Sequence, residues 1–147
     1  MATYDFVVSD VVPADPATVY TAWLSSEGHS EMTGASASVE ARVGGQFHAW
    51  DGYISGVNEV LDAPRRVVQT WRTSDFASDD PDSTIEVSFD EVPEGTLVTV
   101  RHGGVPAEQR GYEEGGWAQS YFAPMKEYFQ RRARLGPESS GDEGERQ

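Results

Sequence analysis

Thr84 to Asp90 reads Thr-Ile-Glu-Val-Ser-Phe-Asp, with Ile85, Val87 and Phe89 alternating against Thr84, Glu86, Ser88 and Asp90. A period of two sends successive side chains to opposite faces of a strand, so this stretch belongs to a sheet with one buried and one wet face. The connections around it are hairpin-sized. Val92-Pro93-Glu94-Gly95 leads from a strand over Ser83 to Glu91 into one over Thr96 to His102. Further strands are read at Ser36 to Arg42, Gly45 to Trp50, Tyr53 to Asp62 and Arg66 to Thr73, with an initial one at Thr3 to Val12. No helix interrupts the run from Ser36 onward to permit parallel crossovers, so the pattern predicts an antiparallel meander.

Within that meander, Phe47 to Gly56 gathers His48, Asp51 and Ser55 between aromatics and glycines. Asp51-Gly52 between alternating runs predicts a type I′ turn with positive φ at both residues. Gly56, inside the next strand, predicts a bulge or bend, and strand parity points His48 and Trp50 away from Phe47 and Ala49. Ser55 lacks the Gly-x-Ser-x-Gly spacing of a nucleophile elbow and no helix follows it. The stretch is scaffold.

Helices flank the strands. Asp15 is placed to cap a helix beginning at Pro16 and ending near Ser25, with Val19, Tyr20, Trp23 and Leu24 on one stripe. Ser26 to Thr33 predicts a second short helix. From about Glu108 a long closing helix carries Trp117, Tyr121, Phe122, Met125, Tyr128 and Phe129 on its apolar face, with a kink or break expected at Pro124. Together these elements predict an α+β layer in which the last helix lies across a curved antiparallel sheet.

Composition bounds the function. The chain has 147 residues and no cysteine, which rules out thiolate metal sites and cysteine nucleophiles. Its formal net charge of −14 argues against general binding of nucleic acid or anionic lipid. The N-terminal sequence has neither a basic start nor a long apolar run, so no membrane insertion is expected and a cytoplasmic location is. Residues 1 to 135 read as one domain, and 136 to 147, with no apolar anchor, as a disordered acidic tail.

Several separated motifs carry a family resemblance. Val43 to Arg72, VGGQFHAWDGYISGVNEVLDAPRRVVQTWR, then Gly103-Gly104-Val105-Pro106, Gly116-Trp117 and Tyr121 to Phe129, YFAPMKEYF, stand in order, and EGHSEMTG from Glu27 to Gly34 also fits. They resemble the C-terminal domain of the activator of the ninety-kilodalton heat-shock chaperone ATPase and its bacterial single-domain relatives. That resemblance implies the helix-grip fold of the START-like (SRPBCC) superfamily, a curved antiparallel sheet wrapped on a long C-terminal helix, often over a cavity. The separate N-terminal domain with which the eukaryotic activator stimulates the chaperone has no counterpart in this sequence.

Three functional classes remain. In a binding module, Trp23, Met32, Phe47, Trp71, Phe76, His102, Trp117, Tyr121 and Met125 are candidates to line a cavity for a small hydrophobic molecule, although the same aromatics would equally build a filled core. A co-chaperone-like interaction module, monomeric or homodimeric, is the second reading. An enzyme of cyclase or hydrolase type using His102, Tyr112 or Glu113 is the third. His102 shares parity with Val98 and Val100 and so faces inward, where a hydrogen-bonded structural role is the simpler one. His29, His48 and His102 are scattered and no metal or nucleotide motif occurs, so no cofactor is expected.

Overall fold

Seven strands form one antiparallel sheet in the order β1-β7-β6-β5-β4-β3-β2 in the computed structural model, which describes residues 3–109 and 111–135. The strands are β1 (Thr3–Val12), β2 (Ser38–Val39), β3 (Gln46–Ala49), β4 (Ile54–Asp62), β5 (Arg66–Thr73), β6 (Ser83–Val92) and β7 (Gly95–Pro106). From β2 to β7 each strand pairs with the next, and β1 closes onto β7. Helices α1 (Pro16–Trp23) and α2 (Ser26–Thr33) carry the chain from one sheet edge to the other. The segment 136–147, read as an acidic tail, lies outside the described residues.

The alternation that predicts the sheet is the alternation of burial. In β6, Ile85, Val87 and Phe89 are buried, and in β5, Val67, Gln69, Trp71 and Thr73 are. Their common face meets α1, α2 and the C-terminal helix, which contribute Val19, Trp23, Met32, Trp117, Phe122, Met125 and Phe129 to one core. Two register shifts curve the sheet, one between Tyr4 and Phe6 against β7 and one between Asn58 and Val60 against β5. At the first, β7 carries the extra residue at Gly103-Gly104, where Gly104 has φ +72° and its N–H donates to Asp5 Oδ1 at 2.9 Å. The bulge lets β7 run on to Pro106, beyond the predicted end at His102.

Five sequence readings are corrected. The Asp51-Gly52 turn keeps its expected positive φ, 58° and 89°, and Tyr53 N–H donates to the Trp50 carbonyl across it at 3.0 Å, but the strands stop short of it: pairing ends at Ala49 opposite Ile54, and Trp50 is left-handed as well, at φ 53°. The irregularity in β4 lies between Asn58 and Val60 rather than at Gly56, where a Cβ would sit 1.9 Å from the Thr70 carbonyl oxygen and 2.6 Å from Phe47 Cε1. The glycine admits the Phe47 ring from the paired strand. β2 is two residues long, since the Asn58 side-chain amide takes the carbonyls of Glu40 and Arg42 at 2.7 and 3.2 Å and holds that segment in a loop. Asp15 precedes Pro16 as expected, but its carboxylate accepts from the Thr18 hydroxyl rather than from a backbone N–H, and the helix ends at Trp23.

The closing helix is the fifth. It starts at Tyr112 rather than Glu108, after Gly111 at φ +107°, and its first part is π-helical over Tyr112–Gly116 and Ala118–Phe122. Regular α-helix, α3, covers Ala123–Leu135. The Gly111 carbonyl accepts from both Gly115 and Gly116 N–H, at 3.1 and 2.8 Å, which is the widened first turn. Pro124 sits where the wide form gives way to the α form, as a residue without an N–H to offer the preceding turn.

Candidate functional site

Where the π-helical turns cross the sheet, they leave a recess of about 320 Å³. Trp71 of β5 and Ile54 of β4, both buried, lie at its base with Trp117 and Tyr121 of the helix. Trp50 and Tyr53 of the β3–β4 hairpin, with Tyr112, Gly116 and Ser120 of the helix, are half-buried and bring it to the surface. The left-handed run at Trp50 to Gly52 turns the hairpin tip so that Trp50 and Tyr53 both contribute. At Gly116 a Cβ would lie 3.2 Å from the Gly111 carbonyl oxygen, a tight contact that glycine avoids in the wide turn.

The rings form a continuous cluster. Trp117 lies 4.9 Å from Tyr121 and 5.7 Å from Trp71, centroid to centroid, and Trp71 meets Tyr112 edge-on at 5.3 Å. At one side the hydroxyls of Tyr53 and Tyr112 are engaged, Tyr53 donating to Asp75 Oδ2 at 2.7 Å and Tyr112 lying 3.3 Å from Thr73 Oγ1. Burial, with Asp75 next to it, raises the Tyr53 pKa above the ordinary phenol value, and burial alone raises that of Tyr121. Both are neutral donors at physiological pH.

Behind the recess two histidines are fully engaged. An indole N–H only donates, so the 3.1 Å contact from Trp117 Nε1 makes His102 Nδ1 an acceptor and puts the proton on Nε2. Nε2–H then donates to Ser83 Oγ at 2.9 Å, and Ser83 donates to the Trp71 carbonyl. His29 is the opposite tautomer: Nδ1–H donates to the Trp23 carbonyl at 2.9 Å and Nε2 accepts from Tyr121 Oη at 2.8 Å. Burial pushes the His102 pKa down to about 3 and that of His29 in the same direction. A third chain runs from Trp23 Nε1 to Gln69 Oε1 (3.1 Å) and from Gln69 Nε2 to Asn58 Oδ1 (2.8 Å). Trp50 Nε1 stands apart, buried with no hydrogen-bond partner among the described residues.

Of the nine cavity candidates read from the sequence, Trp71, Trp117 and Tyr121 line the recess. Trp23, Met32, Phe47, Phe76 and Met125 lie in the packed core, and His102 is behind the wall, bonded to Trp117. Sequence reasoning passed over Trp50, Tyr53, Ile54 and Ser120, and weighed Tyr112 only as a catalytic group. The aromatics flanking Asp51-Gly52 were the available signal, read as strand residues beside a turn. Among the described residues no group of three His, Asp or Glu side chains comes together to hold a metal, and no helix is long and apolar enough to cross a membrane.

A curved antiparallel sheet gripping a C-terminal helix over an aromatic recess defines a helix-grip domain of the START-like class. More particularly, residues 13–130 match the family model described as Activator of Hsp90 ATPase homolog 1-like protein, and the chain belongs to that family. It is 28% identical over 133 residues to the human activator of 90 kDa heat shock protein ATPase homolog 1, covering 90% of this chain and 39% of that protein. The chain thus spans well under half the length of this relative. The crystal structure of an HSP90 activator from Plasmodium falciparum superposes with a TM-score of 0.65 at 25% identity, covering 89% of this chain and 94% of that one. CalU16 from Micromonospora echinospora shares the fold, with a TM-score of 0.70 at 20% identity over 90% of this chain and 80% of that one.

Proposed function

We propose that this domain is a non-catalytic binding module that holds a small hydrophobic molecule in the aromatic recess between the helix and the sheet. The observation that carries this reading is the recess itself. Its volume lies at the lower end of the range of about 300–1,000 Å³ usual for small-molecule pockets, and its base is formed by buried rings. The two buried histidines, His29 and His102, support binding over catalysis, because each has both ring nitrogens committed to protein partners and neither is left as a general base.

A neutral fluorescent probe such as N-phenyl-1-naphthylamine tests the reading. Three of the four tryptophans, Trp50, Trp71 and Trp117, line the recess, so bound probe quenches their emission. The expected outcome is saturable binding of one probe per chain, abolished by Ser120→Trp, which fills the rim. No saturable binding by the unaltered protein would overturn it.

Family membership favours a second reading, a co-chaperone-like interaction module. Its relatives carry the activator name, and this chain corresponds to only part of the human protein's length. Co-sedimentation with the chaperone of the same cell tests it, with no complex at tens of micromolar as the contrary outcome.

A further inference from the structure

The lining of the recess is unusual in kind. Six of its nine residues are aromatic, namely Trp50, Tyr53, Trp71, Tyr112, Trp117 and Tyr121, and Ile54 is the one branched aliphatic side chain. An acyl chain gains from aliphatic walls as readily as from rings. Aromatic faces add something that only a cation uses, the negative quadrupole of the π-system.

Charge around the site has the same sign. Tyr53 donates its hydroxyl proton to the Asp75 carboxylate at 2.7 Å, which makes its ring more electron-rich and sets an anion beside the lining. No lysine, arginine or histidine lines the recess among the described residues. Arg72, adjacent to Trp71 in sequence, falls on the opposite face of β5, where its guanidinium bonds Asp82 Oδ1 at 2.7 Å and the carbonyls of Ala77 and Asp80. Lys126 is paired with Asp10 at 3.3 Å. The whole chain carries a formal charge of −14.

We propose that the ligand of the recess is a small organic cation whose charge sits on an alkylated nitrogen, held by the aromatic faces with the Asp75 carboxylate beside them. This rests on the binding-module reading and sharpens it. A methylated ammonium suits such a lining because its charge is spread over apolar methyl groups that lose little hydration on entering it. An anion of the same size would meet no cationic side chain among the described residues that line the recess, and an unfavourable overall field.

The test compares phenyltrimethylammonium with tert-butylbenzene, which replaces the charged nitrogen by carbon at nearly constant shape. Each is titrated against the protein carrying N-phenyl-1-naphthylamine. The inference expects the cation to displace the probe with an affinity about tenfold above that of its isostere. It also expects Asp75→Asn to narrow that ratio while the circular dichroism spectrum stays that of the parent. Equal or tighter binding of tert-butylbenzene, or failure of the cation to displace bound probe, would overturn the cation inference and leave a neutral hydrophobic site standing. Failure of the probe itself to bind would overturn both.

Discussion

Because the Trp117 indole can only donate, the contact with His102 Nδ1 fixes a neutral ring, and a proton added to that nitrogen would oppose the bond that holds it. The consequence is a pH dependence with a defined sign. With the folded pKa lowered to about 3, the unfolded chain takes up the proton first as pH falls. The contribution of His102 is therefore complete above about pH 6.5 and is lost towards pH 3, at about 1.4 kcal/mol per pH unit. His29, lowered in the same direction by burial, adds a loss of the same sign as pH falls. Urea unfolding at pH 7, 5 and 4 checks this against His102→Gln, whose stability should fall less steeply; parallel slopes would contradict it. The tryptophans give a second contrast. Trp117→Phe strips a partner from buried His102 and should cost about 1–3 kcal/mol, whereas Trp50→Phe removes a donor that has no partner among the described residues and should cost less. Equal losses would show that the indole N–H groups are not the distinction.

At the scale of elements, the glycines of the β3–β4 hairpin separate two physical causes. Gly52 has open space around its missing Cβ and φ +89°, so Gly52→Ala costs only the left-handed strain, about 1 kcal/mol. Gly56→Ala drives a methyl to within 1.9 Å of a backbone oxygen and should cost about 3 kcal/mol, the upper part of the usual overpacking range. Thermal denaturation of the pair checks the order, and a larger loss at Gly52 would contradict it. Strand β5 over Arg66–Thr73 and helix α2 over Ser26–Thr33 keep the bounds read from the sequence, and for α2 the local contacts show why. Indeed Ser25 accepts from Gly28 N–H at 3.0 Å and Gly34 ends α2 at φ 83°. The π-helical turns were not legible. Nothing in the period of Trp117, Tyr121 and Met125 distinguishes a wide helix from a regular one. The left-handed Trp50 likewise follows from how the hairpin docks, against the preference of a bulky residue.

At the scale of the whole molecule, the fold separates a solid part from an open one. Met125 is fully buried in the core rather than lining the recess, so Met125→Trp should destabilise by about 1–3 kcal/mol through overpacking. Ser120→Trp, on the half-buried rim, should be nearly neutral in stability while blocking the probe. Equal destabilisation by the two would mean that the recess is no emptier than the core. The family and the helix-grip architecture could be read from motifs and alternation, because both rest on local pattern and order along the chain. Which aromatics enclose space could not, since Trp23 and Trp117 look alike in sequence and only the packing sends one to the core and the other to the wall. The most direct measurement is therefore the set of four tryptophan indole N–H resonances, followed by nuclear magnetic resonance as N-phenyl-1-naphthylamine is added. Binding in the recess predicts large, saturating shifts at Trp50, Trp71 and Trp117 and a smaller one at Trp23, which stacks behind Trp117 at 6.4 Å. Four unmoved resonances, or a change confined to Trp23, would contradict a binding site in this recess.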